Sequence, residues 1–248
     1  MTIFERNSEQ RKIPLVDSNL SASRGLLLAL AGSVIMGAIL LMDYLSPNNP
    51  NQFVYFIFVS LIPLILMIVA LKVTTQANFK VLIQSKFWSK SNLKTWLVYF
   101  IDYAIFTQVA QTLIHLMGLK TNGHANIQNM TLSRLLINYG TDSVNLMNEE
   151  LFNVFVFIGF AVVLQKQFKL SRSASIYGGL LISILLFGAI HYNAYNGNLA
   201  QMFLLIGPDR FFLTGAFIRS KNILIPFTMH YLFDQIGFTI IFLVEVLS

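Results

Sequence analysis

Seven stretches of this chain are apolar enough and long enough to cross a hydrocarbon core of ~30 Å, which takes ~20 helical residues. They lie near residues 25–42, 53–71, 96–118, 144–165, 176–195, 199–217 and 222–246. The first two are almost free of charge. The sixth is interrupted by Gly207-Pro208-Asp209-Arg210. It is either a broken helix or a re-entrant pair, since irregular backbone at depth is tolerated where protein or a cavity covers it. The pattern predicts an all-α fold: a polytopic transmembrane helical bundle of about seven spans, with eight as the alternative. It forms one integral-membrane domain over residues 1–248, with residues 1–24 as a cytoplasmic segment.

Two longer stretches lie between spans. Residues 72–95 mix Phe79, Val81, Leu82, Phe87 and Trp88 with lysines, as in an amphipathic helix on an anionic inner leaflet or a solvated loop. Residues 130–137 suit a short interfacial helix. The first span follows 24 mostly polar residues, and Ser46-Pro47-Asn48-Asn49-Pro50 offers no small-residue cleavage site. It is expected to stay in the protein rather than serve as a signal peptide.

Composition agrees with the membrane class. Hydrophobic residues make up 55% and charged residues 11%, against about 25% charged in a soluble domain. The absence of cysteine excludes disulfides, thiolate nucleophiles and Cys-ligated zinc. A net charge of +6 would suit nucleic acid in a soluble protein, but here its placement follows the spans, and no nucleic-acid partner is expected. Arg6, Arg11, Lys12 and Arg24 precede span one; Lys72, Lys80, Lys86, Lys90 and Lys94 separate spans two and three. Lys166, Lys169 and Arg172 follow span four, and Arg219 and Lys221 precede span seven. All fall on one side, leaving Lys120 and Arg134 opposite. The positive-inside rule therefore expects the N-terminus in the cytoplasm and the C-terminus outside.

Against this background three short motifs stand out. Glu149-Glu150 lies in span four, with Asn153 one turn on; Phe187 and His191 close span five; His230 and Asp234 share a face of span seven. A charge at bilayer depth costs ~2.5–3.5 kcal/mol on insertion scales, so ionisable groups there mark a cavity or a site. Each motif alone has a plainer reading: two acids at a helix start suit the macrodipole, and a lone intramembrane histidine often bonds a neighbouring helix. Together, on three separate spans, they point to one polar site of hydrolytic chemistry. His230 lies about eight residues, ~12 Å, into its span, which places the site in the outer half of the bilayer. His115 and Asp102 read as packing or lumen-facing residues, and His124 as a loop residue without a role.

An acidic pair, then FxxxH, then HxxxN/D on successive late spans resembles the CPBP family, which includes the CAAX prenyl endopeptidases and the bacterial Abi intramembrane proteases. The resemblance covers about residues 144–238. It implies that Glu149 is the principal general base, working with His191 on a water, and that Glu150 supports it. His230 and Asp234 would stabilise the oxyanion, although an ionised Asp234 only accepts hydrogen bonds and must be protonated or orient His230. Glu149, His191, His230 and Asp234 are also a conceivable zinc set; the lean is to no required cofactor. The family's first motif is EExxxR, and this chain has Val154 in place of the arginine. Arg210 is the candidate substitute, unless it pairs with Asp209 or snorkels. The preferred expectation is that Glu149 and Glu150 share a proton or are held by Asn153. HExxH, GxGD and a rhomboid-like serine are absent, which removes the rival intramembrane proteases.

The expected function is an intramembrane endopeptidase acting on peptides or membrane-associated substrates, in signal-peptide maturation or bacteriocin self-immunity, in a bacterial cell membrane. The alternative is an inactive relative that binds a partner or toxin. A transporter is disfavoured, since no inverted repeat is evident.

Overall fold

The computed structural model describes residues 2–5, 12–46, 51–123 and 131–247. Arg6, Arg11, His124, Met130 and Pro47 to Pro50 lie outside the described residues. Five helices precede the interrupted segment: α1 (Ala22–Leu45), α2 (Gln52–Thr75), α3 (Lys90–Leu116), α4 (Leu132–Lys166) and α5 (Arg172–Ile190). After them come α6 (Leu199–Gln201), α7 (Arg210–Ser220) and α8 (Leu224–Leu247). The six longest are apolar and long enough to cross a membrane.

Side-chain oxygens set where the helices begin. Ser21, Ser89, Thr131 and Ser171 each accept from a backbone N–H of the first turn, of α1, α3, α4 and α5 respectively, satisfying donors that lack an intrahelical partner. The 35 residues of α4 extend ~52 Å, well beyond the hydrocarbon core. The segment expected as a short interfacial helix leading into span four is continuous with it: from Leu132 on, it is the start of α4. Leu151 to Gly159 are all buried, so this part of α4 is covered on every side and runs through the centre of the bundle. Its packing on α1 depends on small residues: a Cβ at Gly159 would lie 2.5 Å from Gly25 O and 2.6 Å from Ala29 Cβ. Such close approach is the main attraction between helices that gain no hydrophobic driving force in lipid.

The sixth predicted span is a broken helix. From α6 it continues as a π-turn over Met202–Ile206, bends at Gly207-Pro208-Asp209 and resumes as α7. Pro208 lacks an N–H and clashes with the preceding turn, which accounts for the break. One end is fastened beside the end of α3, where Asn122 N donates to Gln201 Oε1 at 2.7 Å. The other lies beside the start of α3, where Asn222 Nδ2 donates to Ser85 O at 2.8 Å. The two halves therefore cross the bundle together, and the re-entrant alternative is corrected. This broken pair runs alongside the six long helices.

Of the two readings of residues 72–95, the amphipathic helix does not form: residues 76–89, between α2 and α3, are not wound as one. Phe79–Leu82 form a single 3-10 turn, and Ile83 bridges to Asn222. Side-chain hydrogen bonds take over the backbone here: Asn92 Nδ2 donates to Ser85 Oγ (2.7 Å) and Lys86 O (2.9 Å), and Ser85 Oγ to Ser220 O (2.6 Å).

At the same end, the N-terminal segment is stapled to α5. Arg172 meets Glu5 at 2.7 Å and Asp17 at 2.6 Å, and Phe4 packs edge-on against Phe211, ring centroids 5.0 Å apart. Burial raises the Glu5 pKa, but Arg172 and the Thr2 hydrogen bonds outweigh it and hold the carboxyl below its ordinary value. Glu5 therefore adds stability that is complete above the ordinary carboxylate pKa and is lost as pH falls through its depressed folded value. Replacing Arg172 with Ala should cost about 1–3 kcal/mol, below the cost of breaking a fully buried pair. Thermal unfolding in detergent at pH 7 and pH 3.5 measures both, and an acid sensitivity unchanged by the variant would contradict the role of the pair. Cysteines at Lys90 and Lys120, both exposed and at opposite ends of α3, should label from the cytoplasm and from outside respectively. The reverse would invert the orientation expected from charge.

Candidate active site

The two acids of α4 are not at a helix start but in its middle. Being adjacent, their side chains leave the helix about 100° apart and enter different surroundings. Glu150 points into the bundle and is 1% exposed, whereas the Glu149 side chain faces a cavity with 24% of its surface accessible. That cavity, about 350 Å³, is lined by Glu149, His191, Arg210, His230 and Asp234. The three motifs therefore meet in one place.

Arg210 organises it. The bend at Pro208 sets this residue at the first position of α7, where its side chain is 1% exposed. Arg210 Nη1 donates to Glu150 Oε1, and Nη2 stands 3.9 Å from Glu149 Oε2. Its Cζ lies 3.4 Å from the centroid of the Phe187 ring, a cation–π contact made stronger by burial. His230 Nδ1 is 2.9 Å from the same Glu150 oxygen and 3.1 Å from Arg210 Nη2. One buried carboxylate thus holds a guanidinium and an imidazole. Asp234 Oδ2 lies 3.6 Å from His230 Nε2 on the other side of the ring.

His191 caps the C-terminus of α5. Its Nδ1 is 2.8 Å from Phe187 O, and a carbonyl oxygen only accepts, so Nδ1 carries the proton. Nε2 is then free to accept in the neutral ring, and it faces Glu149 Oε2 across 3.9 Å. Phe187 serves both partners, its carbonyl fixing the histidine tautomer and its ring bearing the arginine. The site can accept two hydrogen bonds at Glu149 and His191 and present charge-assisted donors at Arg210 and His230.

Two expectations are corrected. Arg210 neither pairs with Asp209 nor snorkels: Asp209 accepts from Thr107 Oγ1 at 3.2 Å, and the arginine turns to the acidic pair. Asn153 does not hold the acids; its Nδ2 donates to Thr214 Oγ1 at 2.7 Å, tying α4 to α7 one turn beyond Arg210. His115 contacts Thr121 at 2.9 Å, and Asp102 lies beside Arg219 and Lys94 at the basic end; neither reaches the cavity. Asp142, Tyr195 and Asp209 line it without having been singled out. Asp142 stands seven residues before Glu149, two turns along the same helical face, and that spacing was a readable signal.

Residues 144–236 match the family model described as type II CAAX prenyl endopeptidase Rce1-like. The match supports, over that stretch, a relationship to the CPBP family of CAAX-type proteases. No curated protein and no solved structure matches the chain. In this chain the cation beside the acidic pair comes from α7 rather than from position 154, where Val154 is buried in the core. Zinc does not fit the donors: among the described residues no three His, Asp or Glu side chains converge where an ion would sit. The guanidinium of Arg210 already occupies the space between Glu149 and His230.

An uncompensated buried charge costs about 3–5 kcal/mol. Arg210→Gln should therefore lower the unfolding temperature more than the double variant Glu150→Gln/Arg210→Gln, which removes both charges. With Glu150→Gln as the second single variant, losses that simply add in the double variant, followed by thermal unfolding, would mean the pair is not coupled.

Proposed function

We propose that the protein is an intramembrane endopeptidase that hydrolyses peptide bonds with a water activated by Glu149 and His191, without a metal. A single gap supports this: Glu149 Oε2 and His191 Nε2 are 3.9 Å apart, too far for a direct hydrogen bond and right for a shared water. Both atoms accept, so such a water points its two hydrogens at them and its lone pair into the cavity. Transfer of one proton to Glu149 accompanies attack of the oxygen on the substrate carbonyl carbon. His230, between Glu150 and Asp234, is disposed to be doubly protonated and to donate from Nε2 to the oxyanion that forms. Asp234 then orients His230 rather than touching the oxyanion. As the C–N bond breaks, Glu149 returns its proton to the departing amine, leaving a carboxyl product and the ionised glutamate. The guanidinium of Arg210 faces both Glu149 and Glu150 and offsets the repulsion that two neighbouring carboxylates would feel.

The substrates we infer are peptides or membrane-associated chains; the description of the matching family adds prenylated chains ending in a CAAX sequence. The cavity is lined at one end by Asn122 and Tyr195, away from most of the lysines, and the positive-inside rule assigns that end to the outer face of a bacterial membrane.

Purified protein in liposomes, offered a farnesylated CAAX peptide and an unprenylated fluorogenic peptide library, tests the reading. Glu149→Gln and His191→Ala should each lower turnover by about 10²–10⁴-fold, the usual worth of a general base, and a chelator should leave the wild-type rate unchanged. Cleavage undiminished in Glu149→Gln would refute the mechanism, and loss of activity on chelation would restore zinc.

A further inference from the structure

Glu149 and His191 line a second, smaller cavity as well, of about 190 Å³. It lies on the opposite side of the pair, walled by α1, α2 and α4, with Met36, Ile39 and Leu40 on one side and Asn145 and Asn148 on the other. Its mouth, at Asp43, Tyr55 and Asn193, is polar, and Tyr55 Oη donates there to Asp43. A π-turn over Phe56–Leu61 widens α2 at this point, as such turns do at functional sites. Ser60 O accepts from Asn148 Nδ2 at 2.9 Å. Asn148 Oδ1 is buried and has no hydrogen-bond partner, an acceptor that a water would satisfy.

We propose that the smaller cavity is the entry path of the hydrolytic water, which reaches the Glu149–His191 gap from the face opposite the bound substrate. The proposal rests on the hydrolytic reading of the pair. A peptide filling the larger cavity closes that approach to Glu149, yet each turnover consumes one water. The smaller cavity has room for several waters. Amide, carboxylate and imidazole groups along it give a water the partners it needs, while the wall from Met36 to Leu40 is aliphatic.

The chain has no cysteine, so single cysteines report hydration directly, with or without catalysis. Ile39→Cys, on the cavity wall, should react in liposomes with a charged methanethiosulfonate. Val34→Cys, on the same helix but 69% exposed toward lipid, should not. An unreactive Ile39→Cys would mean the cavity is dry and would overturn the proposal whatever the enzyme does. Filling the cavity with Met36→Trp or Leu40→Trp should lower kcat at least tenfold and leave KM within twofold. A raised KM with unchanged kcat would assign the space to substrate instead, and unchanged kinetics in a folded variant would equally refute the water path. If the wild type cleaves no peptide, the hydrolytic reading fails while the labelling result still stands.

Discussion

The guanidinium of Arg210 is the charge around which the site is built. It is 1% exposed, bonds Glu150, lies on Phe187 and faces Glu149 and His230. A bare carboxylate or cation at this depth would cost several kcal/mol. Assembled, each meets a partner on another helix. The motif residues of α4, α5 and α8 are therefore held together less by their own mutual contacts than by a cation delivered from a fourth segment.

That delivery depends on a backbone defect. An unbroken helix from Leu199 to Ser220 would continue its hydrogen-bond ladder through residue 208, which proline cannot do. The bend lets α7 begin at Arg210 and direct its first side chain across to α4. The anchors at each end, Gln201 to Asn122 and Asn222 to Ser85, prevent the two halves from sliding. Asn153 to Thr214 holds α7 against α4 one turn further on. Small residues do the same for α1, where Gly25 and Ala29 meet Gly159. Rigid placement matters because the Glu149–His191 gap serves a water only if it neither closes to a direct bond nor opens beyond reach.

A division of labour between two adjacent glutamates follows. Adjacency on a helix sends them about 100° apart, so one is spent on structure and the other faces the cavity. Glu150, with Arg210 and His230, resembles a buried ion cluster; Glu149, with partial access to water, keeps the freedom a proton carrier requires. The same separation gives Glu149 access to cavities on both sides of α4.

By itself the sequence determined the class of fold, the approximate spans and the three polar motifs, because apolar runs of bilayer length and costly intramembrane charges are local signals. Phe187 and His191, and His230 and Asp234, were legible as pairs because a helix puts i and i+4 on one face. Proline and glycine at 207–208 announced the interruption of the sixth span but not which way its halves would run. Only tertiary structure decided that Arg210 meets Glu150, that Asn153 turns to Thr214, and that residues 76–89 are tied by side chains rather than wound as an amphipathic helix. Those outcomes depend on contacts across 60 to 137 positions of chain, and helical periodicity carries no information about which distant helix a given face will meet.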